Sequence, residues 1–386
     1  MHSPVSPETP RIARLFLILW HVCRPLLCLL ELIIFQVGAI NQGKRCPSVS
    51  FFSTIGTSGD PSSSVNFETN ICGYSPKDTH LMTREGAISN LGFAEIFFVV
   101  EKSHDPFCDS HPHTTSVYKS FFAFENREYR DWEDVDPGRG EKQVLDQCVG
   151  HAIEARSRQF RVFYFSVLVV GNRARLFRWD RAGAIVTEAF DLRNQPRFLC
   201  EFLWRFHLAN PAQRGLDPTV VVASQAEEYL FKKSIRKHAA IQLGISEHDC
   251  EKLNKALSRH YEEGKVAKVE VYERGHPKPA FHLISVPLAC PRSISGHSTR
   301  AYWSVKLAGE NKGTVCFLKD TWRLGIDCMG SEGSIYEEME DAKVENICDL
   351  ECYGDVPVSH SADDLVGVCP NNSCASDLLI RYHRRV

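Results

Sequence analysis

The residue best suited to chemistry in this chain is Lys319, which closes the apolar run Val315-Cys-Phe-Leu-Lys319. Upstream, residues 293–299 read as a loop carrying Gly296 and five hydroxyl- or imidazole-bearing side chains. Downstream, Glu332 opens the segment Ser331-Glu-Gly-Ser-Ile-Tyr336. A glycine-containing loop, a lysine and a carboxylate in that order are the parts that a phosphate-bearing ligand requires. Loop N–H groups cover the phosphate oxygens, the lysine neutralises them as a point charge, and the carboxylate holds the lysine extended. Glu332 is the first choice for that carboxylate, with Glu337 and Glu338 behind it. The same letters also describe a surface lysine beside a solvated acidic helix from Glu332 to Asp341, and local pattern alone does not separate the two readings.

Other candidates are weaker on geometric grounds. Glu101 and Lys102 end a strand-like run, and a carboxylate–lysine pair on one strand is a nuclease arrangement. Such a pair must share a face, whereas adjacent residues on a regular strand point to opposite faces. Asp180 and Arg181 read as a hairpin turn with surface charge. His111 and His113, near Cys108 and Asp109, form a ligand-rich cluster whose simpler reading is a polar loop. The fifteen cysteines contain no Cys-x-x-Cys pair. They read as reduced, mostly buried thiols, and Cys348 with Cys352 or Cys369 with Cys374 lack the histidines of a zinc site. No metal site is therefore expected, and no catalytic residue is assigned.

Composition bounds the rest. The 386 residues are 43% hydrophobic and 24% charged, enough for two domains with proper cores. A net charge of -3 gives no basic footprint, so no nucleic-acid partner is expected. The amino-terminal stretch 15–40 leaves its membrane status open. Twelve Leu, Ile, Phe and Val residues between positions 15 and 33 favour insertion by about 4 to 7 kcal/mol, while Arg24 and Glu31 oppose it by about 5 to 7 kcal/mol. Pro25 weakens a helix there as well. The expected division is a hydrophobic segment over 1–45, a Ser/Thr/Pro/Gly-rich linker over 46–90, an α/β domain over 91–275, and a second domain with a tail over 276–386.

The elements that must position these residues follow from periodicity. Residues 160–170 are almost continuously apolar, which suits a strand covered on both faces. Turn signals at 171–173 and 180–183 separate it from strands at 174–179 and 184–190, so a meander is predicted. Helical spacing of Val144, Leu145, Cys148, Ala152 and Ile153, and of Phe198, Leu199, Phe202 and Phe206, places helices beside that sheet. A further helix over 247–261 and a strand over 266–272 complete the central domain. Short strands at 281–286, 301–307 and 315–319 follow, then the helix that holds Glu332. The fold class is α+β: a central α/β domain with a mixed sheet flanked by helices, then antiparallel strands with one helix.

Three strands, a lysine on the third and then a helix is the element order of a protein-kinase small lobe. Asp105-Pro-Phe-Cys-Asp109, the stretch from Arg161-Val-Phe-Tyr-Phe-Ser166 through Arg178-Trp-Asp-Arg181 to Glu188, Glu201-Phe-Leu-Trp-Arg-Phe206 and Phe317-Leu-Lys-Asp-Thr-Trp-Arg323 together resemble the fungal-type protein kinase family. The resemblance spans residue 97 to the end. It implies that Lys319 contacts a nucleotide, that Glu332 is its partner, that Gly296 belongs to the loop over the phosphates, and that ATP and magnesium are the cofactors in the family. Residues 295–300 hold one glycine where several are usual. Beyond Lys319 there is neither a His-Arg-Asp sequence with its downstream asparagine nor an Asp-Phe-Gly. A kinase truncated before its catalytic lobe is therefore expected, inactive as a 386-residue chain and with no bound cofactor assigned to it. The alternative is a pseudokinase fragment serving as a non-catalytic interaction module, with a protein partner on residues 91–275. The location expected is cytoplasmic or nuclear, or membrane-anchored through 15–40.

Overall fold

The computed structural model describes residues 47–53, 71–81, 91–107, 119–120, 139–181, 183–246, 249–272, 278–291, 293–294, 297–309, 311–324, 331–356 and 380–385. The apolar stretch 15–40, the cluster from Cys108 to His113, and Gly296 lie outside them. The chain is α+β and divides into two units, Met1–Leu216 and Asp217–Val386.

In the first unit, strands β1 (Ser50–Ser53), β2 (Ile71–Tyr74), β3 (Ala94–Glu101), β4 (Lys119–Ser120), β5 (Tyr164–Val170), β6 (Arg173–Trp179) and β7 (Ala184–Val186) form one sheet. Its order is β1-β2-β3-β5-β6-β7-β4, with β8 (Phe190–Asp191) beside β6. Only β3 and β5 run parallel, because helix α1 (Arg139–Arg158) crosses over between them, while the other pairs are antiparallel. Seven of the eight residues of β3 are buried, as expected of a strand covered on both faces. On one side, helix α2 (Arg197–Leu208) sets Phe202 and Phe206 edge-on to Phe165. Beneath lies a cluster that includes Phe51, Ile71, Ile96, Phe98 and Val167.

Two expectations change here. The linker over 46–90 contains β1 and β2, which complete the sheet beside β3. These four-residue strands, Ser50-Phe-Phe-Ser53 and Ile71-Cys-Gly-Tyr74, are too short to show a period among the surrounding Ser, Gly and Pro. The strand over 184–190 is instead two short strands that pair with different stretches of β6, Phe177–Trp179 with β7 and Arg173–Ala174 with β8.

The second unit is a seven-stranded antiparallel sheet of β9 (Val220–Val222), β10 (Ala267–Val271), β11 (Ala280–Ile284), β12 (Arg300–Lys306), β13 (Val315–Leu324), β14 (Tyr353–Asp355) and β15 (Ile380–Arg385), in the order β14-β15-β13-β12-β11-β10-β9. β9 and β10, expected with the preceding domain over 91–275, belong to this sheet, because β10 pairs with both β9 and β11. Helix α3 (Gln225–Leu243) was not foreseen, although Ser224-x-x-Glu227 carries its signal. The Ser224 side chain accepts from the Glu227 N–H, and the Glu227 carboxylate accepts from the Ser224 N–H at 2.7 Å, a reciprocal cap. Gly244 in the left-handed region ends the helix. Helix α4 (Cys250–Leu257) is shorter than the 247–261 expected, and α5 (Glu332–Asp341) follows β13.

Register settles which face each helix covers. Residues paired directly across strands share a face, so Leu283, Val305 and Val315 lie together, and with them Trp303 and Phe317. Phe231 and Ile235 of α3 and Leu257 of α4 pack on this face. The His260 ring stacks on Trp303 at 3.8 Å between centroids, and His238 meets the same indole edge-on at 4.8 Å. The opposite face carries His282, Ser304 and Cys316.

His282 is fully buried, with Nδ1 3.3 Å from the Ser304 hydroxyl and Nε2 meeting no hydrogen-bond partner among the described residues. Burial, opposed by the Glu351 carboxylate, pushes its pKa from 6.5 down to about 4. His238 and His260 are also lowered by burial. An imidazole depressed in the fold favours the native state while neutral, above about pH 6.5, and that contribution disappears as protons bind first to the unfolded chain. The expected outcome is a loss of roughly 3 kcal/mol from His282 as pH falls from 6.5 to 4. Urea titrations across that range should show a flatter dependence for His282→Gln than for the wild type.

Candidate functional site

Lys319 does not close its strand. β13 runs on to Leu324, so the lysine stands mid-strand, with Ala301 of β12 across on one side and Arg385 of β15 on the other. The apolar run stops at Leu318, which is why sequence alone ends the strand too early. Backbone pairing on both sides fixes where the Lys319 Cα sits and which face its side chain takes. Phe317 and Lys319 share a face, with Phe317 51% exposed, whereas Leu318 is fully buried on the other. Asp320 turns away with Leu318 and is buried in register with buried Arg300. It therefore does not join Lys319.

The partner arrives from α5. Ser331 caps this helix, its hydroxyl accepting from the Ser334 N–H at 3.1 Å, and Glu332 is its first residue. A carboxylate there gains from the positive end of the helix. Lys319 Nζ donates to Glu332 Oε2 at 2.5 Å. The other two acids go elsewhere. Glu337 accepts a hydrogen bond from the Tyr353 hydroxyl at 2.5 Å, and Glu338 is exposed to solvent. Tyr353 lies in register with Arg385, which in turn lies in register with Lys319, so α5 covers the lysine's own face of the sheet. Helices α3 and α5 thus sit at opposite ends of one face, and Phe317 and Lys319 occupy the stretch between.

The opposite face gathers a different polar group. Lys306 hydrogen-bonds to Glu351, and the Cys316 thiol lies 3.1 Å from the other oxygen of the same carboxylate. Burial and that hydrogen bond push the Cys316 thiol up to about 12, which makes it a poor nucleophile at neutral pH.

The remaining sequence candidates stay apart. Glu101 ends β3 half-buried, its carboxyl raised by burial, while Lys102 is exposed. Asp180 closes a turn, its N–H donating to Gly183 and its carboxylate 3.2 Å from Arg178. Among the described residues no three His, Cys, Asp or Glu side chains converge as a metal site, and no helix is long and apolar enough to cross a membrane. Two residues went unnoticed in the sequence. Phe317 could have been found from its two-residue spacing to Lys319. Tyr353, some 34 positions beyond the lysine, had no local signal.

A lysine on an inner antiparallel strand, paired to the helix that follows it, defines a protein-kinase-like small lobe. The chain belongs to the fungal protein kinase family: the family described as "Fungal protein kinase" matches residues 136–369, more than half of its length. No curated protein and no solved structure matches it. Kinases of this family generally use ATP and magnesium, and a lysine aimed from a strand with its carboxylate partner fits the phosphate part of that requirement.

The Lys319–Glu332 pair contributes little to folding. Both side chains are a quarter to a third exposed, and ion pairs that wet are generally worth less than about 1 kcal/mol. Lys319→Met should therefore leave the urea midpoint close to that of the wild type, a shift of no more than about 1 kcal/mol.

Proposed function

We propose that the second unit is the nucleotide-contacting lobe of a fungal-type protein kinase, in which Lys319 binds the phosphates of ATP and Glu332 holds the lysine in place. The single observation behind this reading is the 2.5 Å contact between Lys319 Nζ and Glu332 Oε2, which joins an inner strand to the first residue of the helix that follows it. Gly296 is assigned to the loop over the phosphates by resemblance. Phosphoryl transfer to a Ser or Thr hydroxyl also needs a carboxylate to position the acceptor and carboxylates to hold magnesium. The 386 residues contain no His-Arg-Asp or Asp-Phe-Gly beyond Lys319, so this polypeptide binds nucleotide without transferring phosphate by itself. Purified 1–386 should bind a fluorescent ATP analogue, and Lys319→Ala should weaken binding at least about tenfold, the loss of one charge-assisted hydrogen bond. Magnesium-dependent phosphorylation of a protein by 1–386, abolished by Lys319→Ala, would refute the inactive reading.

A second reading, a non-catalytic module that engages a protein through residues 91–275, has support in α2. Trp204 and Leu208, one helical turn apart, are 42% and 63% exposed, and large apolar side chains grouped on a surface mark interaction sites. The readings separate in cells. A phenotype kept by Lys319→Ala and lost in Trp204→Glu favours the module, and the reverse pattern favours nucleotide binding. The fifteen cysteines form no Cys-x-x-Cys pair and are odd in number, which fits the reducing cytoplasm or nucleus. Recovery of the chain in an alkali-washed membrane pellet would instead favour anchoring through 15–40.

A further inference from the structure

The Lys319–Glu332 contact depends on where α5 sits, and among the described residues Tyr353 meets α5 at both Gly333 and Glu337. A Cβ built on Gly333 would lie 2.1 Å from ring atoms Cγ and Cδ2 of Tyr353. No side chain larger than hydrogen fits there, because helix and ring are already in contact. The ring is only 7% exposed, and its hydroxyl donates to Glu337 Oε2 at 2.5 Å. The ring therefore meets α5 at two places, a notch next to Glu332 and a hydrogen bond one turn further on. Tyr353 itself is fixed by β14, which pairs with β15, which pairs with β13 at Lys319.

We propose that Tyr353 is a positioning residue for the phosphate-binding lysine, setting the height and rotation of α5 through Gly333 and Glu337 so that Glu332 reaches Lys319. Backbone ladders carry the position of β13 to Tyr353, and the tyrosine returns it to the helix. Any change that lifts the ring out of the Gly333 notch moves Glu332 away from Lys319 while leaving the sheet intact. This rests on the nucleotide reading for its purpose, but not for its geometry.

The test reads the lysine directly. Intact 1–386 is acetylated briefly with an N-hydroxysuccinimide ester, and Lys319 is compared with exposed Lys312 by mass spectrometry of the peptides. Glu332→Gln sets the value for an unheld lysine. Tyr353→Phe and Glu337→Ala, each removing the hydroxyl's hydrogen bond, should raise Lys319 acetylation relative to Lys312 about fivefold, the equivalent of one net hydrogen bond. Gly333→Ala should reach the Glu332→Gln value. Glu337→Gln keeps an acceptor oxygen and should behave as wild type, which a loss of general stability would not reproduce. Wild-type Lys319 reactivity in Tyr353→Phe and Glu337→Ala, alongside raised reactivity in Glu332→Gln, would overturn the proposal, and these two variants decide it even if Gly333→Ala fails to fold. If Lys319 reactivity responds as expected while the wild type binds no ATP analogue, the positioning role stands and the nucleotide reading falls.

Discussion

Strand alternation governs the second unit. Because successive residues of β13 face opposite ways, placing Leu318 in the core on one side forces Phe317 and Lys319 to the other. Pairing on both sides of β13 removes the freedom to slip by one residue, since a slip would bury the lysine and expose the leucine. The helices then follow. α3 and α4 take the apolar end of the lysine's face, where Leu283, Val305 and Val315 lie, and α5 takes the end marked by Tyr353. A chargeable side chain is left standing between two helices, within reach of the carboxylate at the start of α5.

The first unit uses charge differently. Arg161 is buried against Glu95 at 2.8 Å and also donates to Gln159 and to the Arg214 carbonyl. Arg175 makes a forked contact with Asp105 and a further bond to the Phe107 carbonyl. Buried ions of this kind are tolerated only when every donor is matched, so they fix the loops flanking β3 and β5 in one arrangement. The Lys319–Glu332 pair, a quarter to a third exposed, makes less of a structural demand.

Much of the site was legible because local signals agreed. The helix from Glu332 to Asp341 begins where Ser331 offers a cap, and the first-choice acid is the one that meets Lys319. The strands at 160–170 and 174–179 were visible from their apolar runs and the turn between them. Other elements were hidden for specific reasons. β1 and β2 are four residues each, shorter than any reliable period. α3 is rich in lysine and glutamate, and its cap was the only clear mark. β13 continues through Asp320, Thr321 and Trp322, whose polar character suggested that the strand had already ended. The boundary near 275 misled because β10 looks like the last strand of one domain, when its partners are β9 and β11.

The sequence by itself determined the composition of the site: a lysine on a strand, a capped helix opening with a carboxylate, and enough distinctive segments to place the chain among fungal protein kinases. Those properties are local, written within a turn or a strand of one another. Only the tertiary structure decided that Lys319 is internal to a seven-stranded sheet, that Asp320 faces away with Arg300, and that Tyr353 fits against Gly333. Each of these is set by which strands pair and in what register, and register is a balance of contacts between segments tens of residues apart, which no local pattern records.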